Sequence, residues 1–193
     1  MTAVKQKQRN GTSDRLVRAG SRYHAEAKKC LRGKAYLAAV VMQVSVLEAQ
    51  LQAMCSIYLS DVKRTAVYKS KRFRRKRDRT LEFTLNELIK IARELKWFPP
   101  KQIRWAGKQA DVAGFVHEIR KVRNLVHPSV MAKGRSEPMK FSKAVWEVVY
   151  EIFDVANSWL THHVHQRLAK AMAREEMRKK TQFRISATQS GPS

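Results

Sequence analysis

The stretch YLAAVVMQVSVLEAQLQAMCSIYL, residues 36 to 59, decides the fold class of this chain. Its apolar side chains recur at intervals of three and four residues, which is the period of an amphipathic helix. One charged residue, Glu48, lies within this stripe. The pattern predicts a helix from about Lys34 to Leu59 whose broad apolar face is buried against other helices. The members of the stripe are Leu37, Val40, Val41, Val44, Leu47, Leu51, Met54, Cys55 and Tyr58.

The same segment is long enough to cross a bilayer, since about 20 apolar residues span the hydrocarbon core. Glutamine and serine side chains interrupt its apolar character, and equally amphipathic segments follow downstream. Such segments can bury one another in a bundle, which favours a core helix over a membrane span. We therefore expect no membrane partner.

Further segments with the helical period predict the rest of an all-α architecture. Gly33 is well placed for a tight turn after the first helix, and Pro99 with Pro100 ends the third. No stretch alternates polar and apolar residues as a strand does. We expect a single helical bundle of about five helices, with a basic loop after the second and a basic C-terminal helical extension. The additional predicted helices are residues 14–31, 82–96, 108–127 and the stretch from Lys140 onward.

The same pattern divides the chain into three parts. With 193 residues and 44% hydrophobic content, the chain is large enough for one domain with its own core. We predict a basic flexible segment at residues 1–13 and a bundle domain at residues 14–166, with a basic loop inserted at 60–80. Residues 167–193 are predicted as a charged helical extension and a flexible tail.

The charge of the chain points to a polyanionic partner. Lysine and arginine total 40 against 16 acidic residues, which gives a formal net charge of +24 and an isoelectric point near 10.6. Such an excess repels itself in the compact state, and it is most easily understood if a polyanion neutralises part of it. Nucleic acid is the leading candidate, with RNA favoured over DNA; an anionic membrane surface ranks second and is not the partner that we predict.

The densest charge lies between Ser60 and Thr80, where the apolar period fails. We predict a solvated loop or a frayed basic helix, because so many like charges cannot pack in a core. Its cations would contact phosphates, and Phe73 would offer one face to an unpaired base; the alternative is a solvated loop that keeps the protein soluble. The predicted nucleic-acid-binding residues are Lys69, Lys71, Arg72, Phe73, Arg74, Arg75, Lys76, Arg77 and Arg79. A smaller basic set nearer the amino end would extend this footprint and includes Arg15 and Arg18.

A second motif, EIRKVRNLVHP at residues 118 to 128, combines groups suited to phosphodiester chemistry. On a helix its arginines, asparagine and histidine fall within a narrow sector beside the apolar stripe, and the proline ends the helix. The imidazole of His127 titrates near neutral pH and can move a proton. The guanidinium of Arg120 or Arg123 can stabilise charge on phosphoryl oxygens, and Asn124 can orient the phosphate or the arginine. The alternative is structural: His127 stabilises the helix end as a cation, while the arginines pair with carboxylates.

Glu48 is the supporting residue that we expect to join these two helices. A carboxylate on an apolar stripe is costly to bury without a cationic partner. We predict that Arg120 or Arg123 reaches it and ties the motif helix to the second helix. The alternative is that Glu48 turns to solvent at the edge of the bundle.

The motif resembles the HEPN superfamily of small helical-bundle proteins, whose ribonuclease members carry an arginine, a polar residue and a histidine near a helix end. Residues 36–41 with Glu48 resemble the long helix that opens such domains. Residues 85–100 resemble the segment that precedes the motif helix. The similarity covers roughly residues 20 to 165.

This resemblance implies a metal-independent endoribonuclease or a toxin-like effector, in which a homodimer places two copies of the motif together. The chain departs from the family's pattern, because Arg123 stands closer to His127 than the family's arginine does, and Lys121 follows Arg120 where a small polar residue is expected. The implied catalytic residues are His127, Arg123, Arg120 and Asn124.

Metal and cofactor sites are not predicted. Cys30 and Cys55 are too few for a disulfide framework or a metal site, which agrees with a reducing cytoplasm. His162 and His165 share a helix face, but no cysteine or carboxylate lies close in sequence to complete a tetrahedral set. The first twenty residues contain no apolar core of the kind a secretory signal needs. We expect a cytoplasmic protein that uses neither metal nor cofactor.

These features predict a HEPN-like bundle that binds nucleic acid and leave three functions open. The first is a ribonuclease that acts on RNA through the motif at residues 118 to 128. The second is a bundle that binds RNA or DNA without turnover. The third is a non-catalytic basic subunit of a larger ribonucleoprotein complex, in which the bundle docks on a protein partner.

Overall fold

The computed structural model describes residues 3–70, 83–99, 102–105, 108–124 and 141–189. These residues form seven helices and one hairpin of two short strands, which confirms the predicted all-α class. In chain order the elements are α1 (Ala3–Arg32), α2 (Tyr36–Ile57), α3 (Leu59–Val62), α4 (Ala66–Lys69), α5 (Leu85–Glu94), β1 (Gln102–Trp105), β2 (Lys108–Asp111), α6 (Val112–Asn124) and α7 (Lys143–Gln189).

α2 is the central helix of the bundle and contacts α1, α5, α6 and α7. Its buried residues lie around most of its circumference, from Ala39 and Val40 near one end to Met54 and Cys55 near the other. A helix that is apolar nearly all round is stable only when other elements enclose it. α2 is also long and apolar enough to cross a membrane. This is weak evidence for a membrane span, because the core helices of soluble proteins meet the same criterion, and over half of the apolar stretch of α2 is buried here.

α1 packs along α2 through small residues. Ser13, Gly20 and Ala27 recur every seven residues and are buried. A Cβ atom at Gly20 would lie 3.8 Å from the Cβ of Ala49, so the two helices approach closely at this point. The face of α1 opposite this seam is therefore left to solvent, because residues half a turn away point outward.

α5, α6 and α7 complete the core around α2. Each contributes side chains that are at most 2% exposed, such as Leu88 of α5, Phe115 of α6 and Ile152 of α7. The two strands pair antiparallel with Gln102 opposite Asp111, and the second strand runs directly into α6. The hairpin thus sets where the motif helix begins.

Two consecutive residues at the end of α5 hold the segments on either side. Glu94 accepts the backbone N–H of Ala66, at the start of α4, with its two carboxylate oxygens at 2.8 and 3.0 Å. The guanidinium of Arg93 pairs with the carboxylate of Asp111 at 2.9 Å. Asp111 also accepts the backbone N–H of Gly114 at 2.8 Å and so caps the start of α6. α5 therefore positions both the segment that leads to the predicted basic loop and the helix that carries the motif.

Lysine residues adopt the left-handed conformation at the ends of α1 and α5. Lys34 and Lys96 have φ angles of 57° and 55°. After α1 the backbone N–H of Ala35 donates to the carbonyl of Cys30 at 2.8 Å, which is the long hydrogen bond of a Schellman motif. Gly33 lies in the turn where we predict it, but the left-handed residue is Lys34.

Several element boundaries differ from the sequence prediction. α1 begins at Ala3, before the predicted start at residue 14 and within the segment predicted to be flexible. α7 continues to Gln189, so the helix includes nearly all of residues 167–193, the end of which we predict as a flexible tail. The predicted start of the motif helix at residue 108 is wrong, because residues 108–111 form β2 and the cap from Asp111 starts the helix at the next residue.

The beginning of the predicted basic loop is also helical. Residues 60–70 contain most of α3 and all of α4, and Val62, Thr65 and Tyr68 are buried at intervals of three residues. Thr65 caps α4 by accepting the backbone N–H of Tyr68 at 3.2 Å. A single helical turn is too short to produce a recognisable apolar period, which is why the sequence pattern misses it. Residues 71–80 lie outside the described residues.

Replacing Lys34 by glycine should stabilise the protein, whereas the same change at Lys28 should destabilise it. Glycine removes the clash of a side chain in the left-handed conformation at Lys34, for an expected gain of about 0.5 to 1 kcal/mol in unfolding free energy. At Lys28, an exposed position inside α1, glycine should cost about 1 kcal/mol. Denaturant titrations of both variants measure the two signs, and a loss of stability in Lys34→Gly would contradict this account of the turn.

Candidate functional site

The predicted catalytic quartet lies only partly within the residues that the structure describes. The backbone of α6 includes Arg120, Arg123 and Asn124, and the side chain of Arg120 is half-buried. The side chains of Arg123 and Asn124, and the whole of His127, lie outside the described residues. The convergence of the four groups therefore stays a prediction.

Arg120 has a buried nitrogen atom that can donate a hydrogen bond. Within the described part of the chain, its Nε lies below the surface without a hydrogen-bond partner. Glu48 is half-buried on α2, and α2 contacts α6. The two helices that we expect Glu48 to join are thus neighbours, while its pairing with Arg120 or Arg123 stays a prediction.

His117 is a candidate residue outside the predicted catalytic quartet. It is half-buried on α6, one turn before Arg120 and Lys121. Burial lowers the pKa of His117 below its ordinary value, and the positive charges of Arg120, Lys121 and Lys90 lower it further, with a smaller opposing effect from Glu118. The imidazole is consequently neutral near pH 7 and available as a base.

The sequence does contain a signal for His117. A histidine three residues before an arginine on a helix lies on the same face as that arginine. The polar face of α6 is therefore longer than the predicted quartet and extends back to His117. The sequence cannot show that α5 places Lys90 close enough to act on this imidazole.

The predicted basic segment begins at a well-defined point. Lys69, its first residue, ends α4 and is exposed. α4 is held by its own Thr65 cap and by Glu94 of α5. The remaining predicted residues of the segment, from Lys71 to Arg79, lie outside the described residues, so their contact with nucleic acid stays a prediction.

A second cationic feature lies on the outward face of α1. Arg15, Arg18 and Arg22, together with Ala19 and Tyr23, line a surface depression of about 490 Å³. We call these five residues the α1 arginine surface. Its three arginines are exposed, and among the described residues no carboxylate forms an ion pair with them. Arg15 and Arg18 belong to the predicted basic set, whereas Arg22 and Tyr23, which complete the same face, do not.

An apolar groove of about 480 Å³ runs between α1, α2 and α7. Val17 and Ile57 at its edge are 56% and 52% exposed. A hydrogen bond between Gln50 and Asn157 crosses from α2 to α7 within it. Its lining is largely apolar, so it lacks the concentration of charge found on the α1 arginine surface.

The cysteines and histidines do not assemble a metal site in the part of the chain that the structure describes. Cys30 and Cys55 are free thiols, and burial raises the pKa of the Cys55 thiol, which makes it unreactive. The side chain of His162 hydrogen-bonds to Gln166 at 2.8 Å. The ring of His163 packs edge-on against Tyr58 with ring centres 5.8 Å apart.

Comparisons with known proteins leave the family of this chain open. No family model matches it, and neither a curated protein nor a solved structure is similar to it. The candidate sites therefore rest on their own residues and geometry.

The lowered pKa of His117 predicts a defined pH dependence of stability. The imidazole of His117 binds a proton more readily in the unfolded protein than in the folded one. Its contribution to the free energy of unfolding is therefore fully present above about pH 6.5 and is lost as the pH falls. In His117→Gln this acid-induced loss should disappear. The difference in unfolding free energy between the wild type and the variant should therefore shift against the wild type between pH 8 and pH 5. Denaturant titrations at the two pH values measure this shift.

The comparison at pH 8 supplies its own control. There the imidazole is neutral in both states, so the difference between wild type and His117→Gln reports packing alone. A difference that stays constant on acidification would contradict the assigned environment of His117.

Proposed function

We propose that this protein binds nucleic acid, RNA in preference to DNA, and that the α1 arginine surface is one of its contact surfaces. The observation that carries the proposal is the grouping of Arg15, Arg18 and Arg22 around one depression on the outward face of α1. A guanidinium group can bind phosphate oxygens through two parallel hydrogen bonds, and each phosphate neutralised releases counterions. The basic segment beginning at Lys69 would extend the same footprint.

The arrangement of charge supports a polyanion rather than a single acidic group. The three arginines follow one another at intervals of about one helical turn, and like charges at that spacing repel each other. On the same helix the carboxylate of Glu26 is paired with Lys29 at 2.7 Å, so it does not offset them. A strand of phosphates would relieve this repulsion along its whole length, which fits a chain whose net charge is +24.

Tyr23 supports a single strand as the bound form. Its side chain is 40% exposed at the edge of the α1 arginine surface. Proteins that bind single strands combine a cationic groove with aromatic rings on which unpaired bases stack. A phenol ring beside three guanidinium groups provides both elements on one face of one helix.

Replacing Arg15, Arg18 and Arg22 together by glutamine should weaken binding to single-stranded RNA and flatten its salt dependence. Each lost phosphate contact removes about 0.7 from the slope of log K against log salt, so the slope should shrink by about 2 in magnitude. Fluorescence anisotropy titrations at several salt concentrations measure this slope, and circular dichroism checks that the helices are retained.

A matched control removes the same charge from another part of the same helix and its turn. Glutamine at Lys28, Arg32 and Lys34, which are all exposed, should reduce the slope less than the arginine variant does. Equal losses would show that α1 contributes only diffuse charge. Wild-type protein that binds neither RNA nor DNA in dilute buffer would contradict the proposed function itself.

A second candidate function is metal-independent cleavage of RNA. It is favoured by His117, an imidazole of lowered pKa next to Arg120 on the helix that also carries the predicted quartet. A neutral imidazole can accept the 2′-hydroxyl proton, and a guanidinium can stabilise the charge that builds on phosphoryl oxygens. The alternative is the non-catalytic basic subunit of a larger nucleic-acid complex, which needs the same charge and no turnover.

Incubation of the purified protein with unstructured RNA in EDTA separates catalysis from binding. On the catalytic proposal, cleavage survives chelation and falls by about 100-fold or more in His127→Ala. A comparable loss in His117→Ala alone would assign the base to His117 instead. RNA that stays intact at high protein concentration would support binding without catalysis.

A further inference from the structure

The imidazole of His117 lies among positive charges that come from two neighbouring helices. On α6, Arg120 follows it by three residues and shares its helix face, and both side chains are half-buried. On α5, which contacts α6, Lys90 is exposed. We call Lys90, His117 and Arg120 the His117 cluster. It shares no residue with the α1 arginine surface.

Two printed contacts fix the junction between α5 and α6 beside this cluster. The guanidinium of Arg93 pairs with the carboxylate of Asp111 at 2.9 Å, and Asp111 caps Gly114 at 2.8 Å. Lys90 lies one turn before Arg93 on the same face of α5, and His117 lies one turn after Gly114 on α6. Burial and the charges of its own helix lower the pKa of His117 most, and the charge of Lys90 lowers it further, in agreement with this placement.

The charges of the cluster are not compensated by carboxylates in the part of the chain that the structure describes. The neighbouring cation on α6, Lys121, is paired with Glu118 at 2.7 Å, whereas no described carboxylate forms an ion pair with Lys90 or Arg120. The Nε atom of Arg120 is buried and has no hydrogen-bond partner among the described residues. Two positive charges therefore flank the imidazole, and an anion would relieve their repulsion.

The number of these charges selects the class of anion. A phosphate monoester carries a charge of about −1.5 to −2 near pH 7, whereas a phosphodiester carries only one negative charge. A guanidinium donates to two phosphate oxygens at once, and a lysine ammonium adds a point charge. A dianion beside the imidazole also raises its pKa, so that both ring nitrogens can donate hydrogen bonds.

We propose that Lys90, His117 and Arg120 bind a phosphate monoester, the group found at the end of an RNA strand and in free nucleotides. The site goes beyond the proposed function, because it uses a different surface and does not require binding along a strand. It also differs from the proposed cleavage, since here His117 binds an anion and no bond is made or broken.

The first test uses inorganic phosphate as the probe and follows the imidazole signals of the full chain by NMR at constant pH and ionic strength. The signal that is absent in His117→Gln belongs to His117. Phosphate should move this signal toward the position of the imidazolium, because a bound dianion raises the pKa of His117. Dimethyl phosphate, a diester with one charge, should bind roughly tenfold more weakly. An unmoved His117 signal, or equal affinity for the two anions, would overturn the inference.

A matched pair of variants separates the cluster from diffuse charge. Lys90→Gln should weaken the binding of phosphate at His117 by roughly tenfold, because it removes one of the two uncompensated charges. Lys28→Gln removes the same charge from an exposed position on α1 and should change this affinity little. Equal effects of the two variants would overturn the inference. Lys90 is itself exposed, so the fold should be retained, and circular dichroism checks this.

The source of the monoester is distinguished with two single-stranded RNAs of one sequence, one with a 5′-phosphate and one with a 5′-hydroxyl. Tighter binding of the phosphorylated strand that is lost in Lys90→Gln would support the end of a strand as the ligand. Equal binding of the two strands, together with the effect of inorganic phosphate on His117, would support a free nucleotide. Failure of the phosphate test leaves the predicted salt dependence of the α1 arginine surface untouched, so the two proposals fail separately.

Discussion

The enclosure of α2 is the constraint on which the rest of this structure depends. Its apolar side chains surround most of the helix, so no single neighbour can bury them, and five other helices contact it. α1 covers one side through the small residues Ser13, Gly20 and Ala27, which allow a close approach. Because this seam uses one side of α1, its opposite side faces solvent, and that is where Arg15, Arg18 and Arg22 lie. Burial of the core thereby separates the apolar half of α1 from its cationic half.

α5 connects this core to two candidate functional regions: the basic segment that begins at Lys69, and the motif helix α6. Its buried residues anchor it to the bundle, while Arg93 and Glu94 at its end reach in different directions. Glu94 holds the start of α4, and Arg93 holds Asp111, which caps α6. Both contacts are partly exposed and contribute little stability individually, yet they define where two chain segments begin. Their value is positional, since a cap or an ion pair at a helix start limits the orientations of the residues that follow.

The cationic groups are distributed over distinct surfaces rather than concentrated in one pocket. The α1 arginine surface combines guanidinium groups with an exposed phenol ring, and a smaller cleft near the turn between α3 and α4 includes Arg64. Several shallow cationic contacts of this kind are what the proposed binding of a long polyanion requires. His117 differs from both, because burial and neighbouring cations keep it neutral at a pH where it can act as a base.

The sequence by itself determined the helical class and the positive charge, because the three and four residue period of residues 36–59 and the surplus of lysine and arginine are both properties of the local sequence. It also pointed to Arg15, Arg18 and Arg120, whose helical positions follow from spacing alone. Only the tertiary structure decided which distant groups meet: Glu94 with the backbone of Ala66, Arg93 with Asp111, and His163 with Arg64 across one cleft. No local period encodes these contacts, since they depend on which helix faces come together when the core is buried. The sequence places His117 on the same helix face as Arg120, but burial, which is the largest cause of its lowered pKa, and the smaller effect of Lys90 from another helix cannot be seen along the chain.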